Sequence, residues 1–114
     1  MILSVDAKNS MLQGFADRLN IGTNAELTIY IGADIAANFD MPNPIEQSIN
    51  DGVLLFNLPD RVLAELSGTP TSAKLVNSLG VNLAEFDIGS EIVLDKPEVY
   101  AGGYVNLARL TITI

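Results

Sequence analysis

The sequence predicts a single-domain, all-β, mainly antiparallel fold, either a β-sandwich or a flattened barrel, with one short amphipathic helix at its N-terminus. Three observations lead to this prediction. The chain has 114 residues, which is the size of one domain. Hydrophobic residues make up 48% of it, enough to supply a core. After residue 25, short apolar segments alternate with turns rich in Gly, Asn, Asp and Pro.

Residues 6–20 carry the only long helical pattern. Spacings of three and four place on one face Met11, Leu12, Phe15, Ala16 and Leu19. Asp6 is the predicted N-cap, and Gly22 can adopt the left-handed conformation that ends a helix. Residues 1–5 then form an N-terminal arm, and residues 26–114 form the β domain of the single domain 1–114.

The first half of the β domain contains two predicted strands. Apolar and polar residues alternate over 26–31, which is typical of a half-buried strand. A continuous apolar run at 53–56 is typical of a strand covered on both faces. Residues 59–68 are harder to assign, and their apolar spacing favours a short helix beginning at Pro59.

The connection 33–51 is predicted to be a long loop, with Pro42 and Pro44 at its centre. Its hydrophobic side chains are Ile35, Phe39, Met41, Ile45 and Ile49. They are too many for a freely solvated linker, so the loop either folds back on its own core or docks on a neighbouring molecule.

The second half of the β domain begins with a predicted hairpin. Residues 73–77 and 81–88 flank the turn Ser78-Leu79-Gly80, and 91–94 form a further short strand. Residues 104–114 form the longest strand, whose apolar phase slips from odd to even positions. A bulge near Ala108-Arg109 explains the slip; a strand that changes sheets there is the alternative.

The composition argues against catalysis. The chain contains no histidine and no cysteine, and so lacks the side chain that titrates near neutral pH and the most nucleophilic one. The usual ligands of zinc, copper and iron are missing with them. We therefore predict a protein that is not an enzyme and uses no cofactor.

The net charge of the chain restricts the kinds of molecule that it is expected to bind. Fourteen acidic and six basic residues give a formal net charge of −8, a surface expected to repel nucleic acids and anionic membranes. The first residues lack the basic and apolar regions of a signal peptide, and no apolar run is long enough to span a bilayer. We therefore expect the protein to be made in the cytoplasm and to bind other proteins.

Two groups of acidic residues are candidates for a metal or catalytic site. Asp34, Asp40 and Asp51 share the long loop, but their spacing matches no known calcium motif. Glu85 and Asp87 project from the same strand face instead of across a cleft, which is poor geometry for a glycosidase. We predict neither catalytic nor metal-ligating residues.

Several strings occur together in a recognisable order. The helix ends in Leu19-Asn20, and Glu26-Leu27-Thr28-Ile29-Tyr30-Ile31-Gly32 follows. The later strings are Phe86-Asp87-Ile88-Gly89-Ser90, Val99-Tyr100-Ala101-Gly102-Gly103 and Leu107-Ala108-Arg109-Leu110-Thr111-Ile112-Thr113. In this order the chain resembles a group of small tailed-bacteriophage and prophage virion structural proteins. Residues 59–66 depart from the pattern, and no functional residue transfers.

The resemblance implies a bacteriophage capsid, neck or tail component that is made in the bacterial host cytoplasm and assembled in many copies in the virion. Capsid decoration by a homo-oligomer is the leading hypothesis; a tail or neck component is the first alternative. The second is a carbohydrate- or calcium-binding β-module of a receptor-binding fibre. The apolar content of the arm and the loop predicts that partner contacts are made by Ile2, Leu3, Val5, Ile35, Phe39, Met41 and Ile45.

Overall fold

The computed structural model describes all 114 residues. The chain forms, in order, α1 (Val5–Leu19), β1 (Glu26–Ile31), β2 (Asp34–Asp40), β3 (Glu46–Asn50), β4 (Val53–Phe56), β5 (Val62–Leu63), β6 (Ser72–Val76), β7 (Asn82–Asp87), β8 (Ile92–Leu94), β9 (Tyr104–Val105) and β10 (Leu107–Thr113). The predicted all-β domain with one N-terminal helix is confirmed.

The strands form two four-stranded sheets and one small sheet. The first sheet has the order β2-β1-β6-β7, the second β3-β4-β10-β8, and the third pairs β5 with β9. All of these strand pairs are antiparallel. Residues of both large sheets and of α1 belong to one cluster of 23 buried hydrophobic side chains, as expected of a sandwich.

Helix α1 lies beside β3 and β4 and begins slightly earlier than predicted. Its N-cap is Ser4, not Asp6, because the Ser4 Oγ accepts the Ala7 N–H at 3.1 Å. Asp6 lies in the first turn, where its negative charge interacts favourably with the positive end of the helix dipole. Of the predicted apolar face, Leu12, Ala16 and Leu19 are buried. Since Val5 is helical, the N-terminal arm comprises only residues 1–4.

The long loop predicted over 33–51 is wrong. Residues 34–40 form β2, which pairs with β1, and residues 46–50 form β3, which pairs with β4. Pro42 and Pro44 occupy only the short connection between the two strands. Asp51 and Gly52, with φ of 52° and 74°, make the tight turn from β3 into β4. The segment therefore folds onto its own core, which is one of the two outcomes left open.

The short helix predicted over 59–68 is also wrong. The segment is extended, and its strand β5 pairs with β9. The Ala64 N–H donates to the Gly103 carbonyl at 2.8 Å, and the Glu65 N–H donates to the Ala36 carbonyl at 2.7 Å. Distant parts of the chain therefore supply the hydrogen-bond partners that a local helix would have supplied.

The second half of the domain follows the predictions closely. β6 and β7 form the hairpin around residues 78–80, with Phe86 buried and Glu85 exposed. The predicted bulge near residue 108 is confirmed, since the register against β8 shifts between Leu107 and Arg109. A change of sheet also occurs, but earlier: the chain leaves the small sheet after Val105 and enters the second large sheet at Leu107.

Asp95 joins the end of β8 to the link between β9 and β10. Its carboxylate accepts the Asn106 backbone N–H at 3.3 Å and the Asn106 side-chain amide at 3.0 Å. Slight desolvation raises the pKa of Asp95, but these hydrogen bonds and the nearby Lys96 charge outweigh it. The pKa therefore lies below its usual value.

This lowered pKa predicts a pH dependence. A carboxyl whose folded pKa is depressed stabilises the protein above its unfolded pKa, about 3.9, and loses that contribution as the pH falls through the folded pKa. We expect Asp95→Asn to lack this part of the acid destabilisation, measured by urea unfolding at a series of pH values below about 5. Identical pH slopes for both proteins contradict the prediction.

Candidate functional site

The most distinctive surface feature is an apolar groove of about 350 Å³. Helix α1 forms one wall, β7 another, and the end of the chain the third. Its hydrophobic lining consists of Met11, Leu12, Phe15, Ala84, Phe86, Ile112 and Ile114. The two charged lining residues are Glu85 and Glu91. We call this feature the groove.

The topology explains why the groove is open. β7 is the last strand of the first sheet, and on its outer side no strand of the chain pairs with it. In the second sheet, β8 is short and pairs with β10 only over Leu107–Leu110. Ile112 and Ile114 therefore lie beyond the end of β8, where only β4 pairs with β10. The two sheets part at this corner, and their apolar side chains reach the surface.

Helix α1 presents a larger apolar surface than its sheet contacts cover. Leu12 and Ala16 are buried, but Met11 is 55% exposed and Phe15 is half-buried. Met11 and Phe15 follow each other at i and i+4, so they form a continuous stripe along the groove wall. The predicted apolar face is correct in phase, but only part of it belongs to the core.

The N-terminal arm is the most exposed apolar segment of the chain. Met1 and Ile2 are 109% and 98% exposed, and Leu3 is half-buried. No residue of the arm carries a charged side chain, and the first charge is that of Asp6. The Ser4 backbone, at φ −67° and ψ 159°, is extended, so the arm leaves the helix instead of continuing it. The arm thus contacts little of its own chain.

The structure divides the seven predicted contact residues into two groups. Ile2, Val5 and Ile35 are exposed and Leu3 is half-buried, and their role in binding a partner stays a prediction. The remaining three, Phe39, Met41 and Ile45, have no exposed surface. The prediction is wrong for these three, because β2 and the crossover that follows it direct their side chains into the core. Ile35 lies on β2, away from the arm and the groove.

The acidic residues form no metal site. Asp34 and Asp40 lie at opposite ends of β2, and Asp51 lies in the turn before β4. Nowhere does the structure bring together three acidic side chains in a geometry that could hold a metal ion. Glu85 and Asp87 are exposed on β7, and Glu85 pairs with the Lys74 Nζ at 3.8 Å. This pair is a surface ion pair on adjacent strands.

Arg109 lies at the bulge of β10. Its Nη2 donates to the Ser90 carbonyl at 3.4 Å, and the side chain is otherwise exposed. A second cation, Arg61, lies over the ring of Tyr104 at 3.9 Å from the centroid and links β5 to β9. Both cations therefore have contacts within the fold.

Sequence reasoning missed the groove. The helical pattern predicts an apolar face that includes Met11 and Phe15 but not how much of that face the sheets cover, and the pattern of the last strand does not predict that Ile112 and Ile114 line a groove. No local signal marks the exposed part of the helix face, since five apolar residues over 11–19 are the ordinary content of an amphipathic helix.

Comparison with known proteins identifies no relative. No protein-family model, no curated protein and no solved structure matches this chain. The structure has no helix with the length and the apolar character needed to cross a membrane.

Proposed function

We propose that this protein is a non-enzymatic bacteriophage virion structural protein that acts through protein–protein contacts, most specifically as a capsid decoration protein. It is made in the bacterial host cytoplasm and assembles as a homo-oligomer onto other virion proteins. One observation carries the proposal: apolar side chains stand fully exposed in the arm although the domain already has a complete core. Such surface is typical of segments that are buried on assembly.

Two further features support this role. The net charge of −8 keeps an unassembled subunit soluble in spite of its exposed apolar residues. The order of the motifs, from Leu19-Asn20 to the Leu-Thr-Ile-Thr end of the chain, resembles that of small tailed-phage structural proteins. A tail or neck protein would use the same apolar contacts but would be present in fewer copies than a decoration protein.

Quantitative mass spectrometry of purified virions tests the proposal. Particles released by the bacterium or phage that encodes this chain are expected to contain it in a fixed ratio to the major capsid protein. A decoration protein follows the symmetry of the whole capsid lattice, whereas a neck or tail component is present as one ring or a few rings.

Absence of the chain from purified virions, with the chain present in the lysate, overturns the proposal. Saturable heat on titration with calcium or with a glycan panel would then favour the alternative of a binding module in a receptor-binding fibre.

A further inference from the structure

We propose that β7 and the groove beside it bind a short extended segment of another protein, in which basic and apolar side chains alternate. The segment adds a strand to the outer edge of β7, places its apolar side chains in the groove and sets a basic side chain against Glu85. Because the partner is taken to be another virion protein, this inference rests on the proposed function and specifies the chemistry of one of its contacts.

The outer edge of β7 offers unpaired backbone groups to such a segment. Along an antiparallel strand, alternate residues direct their N–H and C=O groups to one neighbour, and the residues between them direct theirs to the other side. The Ile88 N–H donates to the carbonyl of Thr71, just before β6, at 3.2 Å. Phe86 has the same direction as Ile88, so the backbone groups of Glu85 point outwards, where no strand of the chain pairs with β7. An added strand can therefore form two hydrogen bonds with the Glu85 backbone.

The free part of this edge is short. Directly after β7 the chain turns back, and Ile88 forms a parallel bridge with Ile92. The Gly89 N–H donates to the Ile92 carbonyl at 2.9 Å. This return covers the end of β7, so the free edge extends over residues 82–86. A segment of about five residues matches that length, because strands rise about 3.4 Å per residue.

The pleat of the sheet directs alternate side chains of the segment into the groove. Residues directly opposite each other on two strands share a face, and successive residues alternate between the faces. The residue opposite Glu85 therefore lies on the face of Glu85. Its two neighbours lie on the face of Ala84 and Phe86, which line the groove together with Met11 and Ile112. The volume of about 350 Å³ can hold two side chains of the size of valine or isoleucine.

The charge around the groove selects a basic partner. Residues 75–95, which include β7 and β8, contain four acidic residues and no basic one. Glu85 and Glu91 line the groove, and Asp87 is exposed two residues after Glu85 on β7. The ion pair of Glu85 with Lys74 is exposed at both ends, so Glu85 stays accessible to a second cation. A basic side chain opposite Glu85 forms the opposite-charge pair that stabilises neighbouring strands.

The same charges disfavour a second copy of this chain at the edge. Pairing two β7 strands would bring Glu85 and Asp87 of both copies together, and like charges opposite each other destabilise a sheet. Charged side chains on edge strands prevent self-pairing in this way. A basic strand is attracted instead, since the chain has a net charge of −8.

Two N-methylated peptides test strand pairing directly. The parent is a seven-residue peptide with blocked ends, in which lysine and valine alternate and lysine stands at both ends. In the proposed arrangement the lysine N–H groups face β7 and the valine N–H groups face solvent. N-methylation of the lysines is therefore expected to weaken binding at least about tenfold, and N-methylation of the valines to leave it within about twofold. Fluorescence anisotropy of labelled peptides measures both affinities.

Two results with these peptides overturn the inference. Equal losses of affinity in both N-methylated peptides mean that the backbone of the segment does not pair with β7. Tighter binding of a helical leucine–lysine peptide than of the parent means that the groove is shaped for a helix.

Matched variants of the protein test the charge and the groove. Glu85→Gln is expected to weaken binding of the parent peptide about threefold to tenfold. Glu65→Gln is its control, because Glu65 is exposed and bonded through its N–H to β2, at the opposite edge of the first sheet. Met11→Ser removes apolar surface from the groove and is expected to weaken binding about fivefold. Leu79→Ser, at an apolar residue that is 69% exposed in the β6–β7 turn, is expected to leave it unchanged.

Circular dichroism of each variant verifies that the fold is retained. Equal weakening by Glu85→Gln and Glu65→Gln means that the peptide responds only to net charge, which contradicts a site at β7. Unchanged binding in Met11→Ser contradicts the role of the groove.

Hydrogen exchange locates the added strand. The Glu85 amide points outwards and is expected to exchange more slowly in the complex with the parent peptide. The Phe86 amide points to β6 and is expected to keep its rate of exchange. An unchanged Glu85 amide in the saturated complex contradicts strand addition.

The two proposals fail independently. A chain that is absent from virions but binds the parent peptide through Glu85 overturns the virion role and leaves strand addition intact. A chain that is present in virions but does not distinguish the two N-methylated peptides overturns strand addition alone.

Discussion

Phe39→Ala is expected to lower the free energy of unfolding by about 3–5 kcal/mol. Phe39 has no exposed surface and lies opposite Leu27 in the pairing of β2 with β1. Truncation removes the apolar area of the ring from the core and leaves a cavity that rigid strands on either side cannot close. Since domains of this size are stable by about 5–15 kcal/mol, the variant loses a large share of its stability.

Urea unfolding followed by circular dichroism measures this effect, and Ile35→Ala is its matched control. Ile35 lies on the same strand but is 42% exposed, so its truncation is expected to cost no more than about 1 kcal/mol. The comparison separates burial in the core from a role in binding. If Phe39→Ala left the unfolding midpoint unchanged but weakened self-association, the residue would belong to a contact surface after all.

The strands that were predicted correctly are those whose pattern is local. β1 alternates, β4 is a continuous apolar run, and β6 and β7 flank a turn with glycine at its third position, Gly80, where φ is 84°. Each pattern is complete within a few residues of the chain. The register shift in β10 was also predictable, because a change in apolar phase within one strand requires an extra residue.

The errors arose where the determinant of structure is distant in sequence. Pro42 and Pro44 indicated a loop, but the strands on either side take their hydrogen bonds from β1 and β4. The Asp51-Gly52 pair is itself a hairpin signal that could have revealed β3. β5 could not be predicted, because its partner β9 is about 40 residues away and only two residue pairs hold the ladder.

Of the two apolar surface features, the sequence predicts the exposed arm but not the groove. The arm can be recognised in the sequence, because three apolar residues directly precede a serine that can cap a helix. The groove cannot be recognised in this way. It depends on β8 ending before β10 does and on β7 being the last strand of its sheet. Strand order and strand length across a sheet are tertiary properties that no local pattern encodes.

Asn77→Ala is expected to lower the free energy of unfolding by about 2–4 kcal/mol. Asn77 is buried, and its side chain joins three parts of the chain. Its Oδ1 accepts the backbone N–H groups of Leu79 and Val81, both at 3.0 Å, and so shapes the β6–β7 turn. Its Nδ2 donates to the Arg18 carbonyl at 3.2 Å in the last turn of α1. Alanine removes all three of these hydrogen bonds, each of which contributes about 0.5–1.5 kcal/mol, and with them the link between the turn and the helix.

Asn82→Ala is the control for this prediction. Asn82 is exposed at the start of β7 and donates one hydrogen bond to Glu85, so water replaces its partner and the expected change is within about 0.5 kcal/mol. Urea unfolding gives both values. Hydrogen exchange locates the effect, because only Asn77→Ala should accelerate exchange at both the β6–β7 turn and the end of α1. Faster exchange at the turn alone would mean that Asn77 organises the hairpin but does not anchor the helix, and the wall of the groove would then depend on the apolar contacts of Leu12, Ala16 and Leu19.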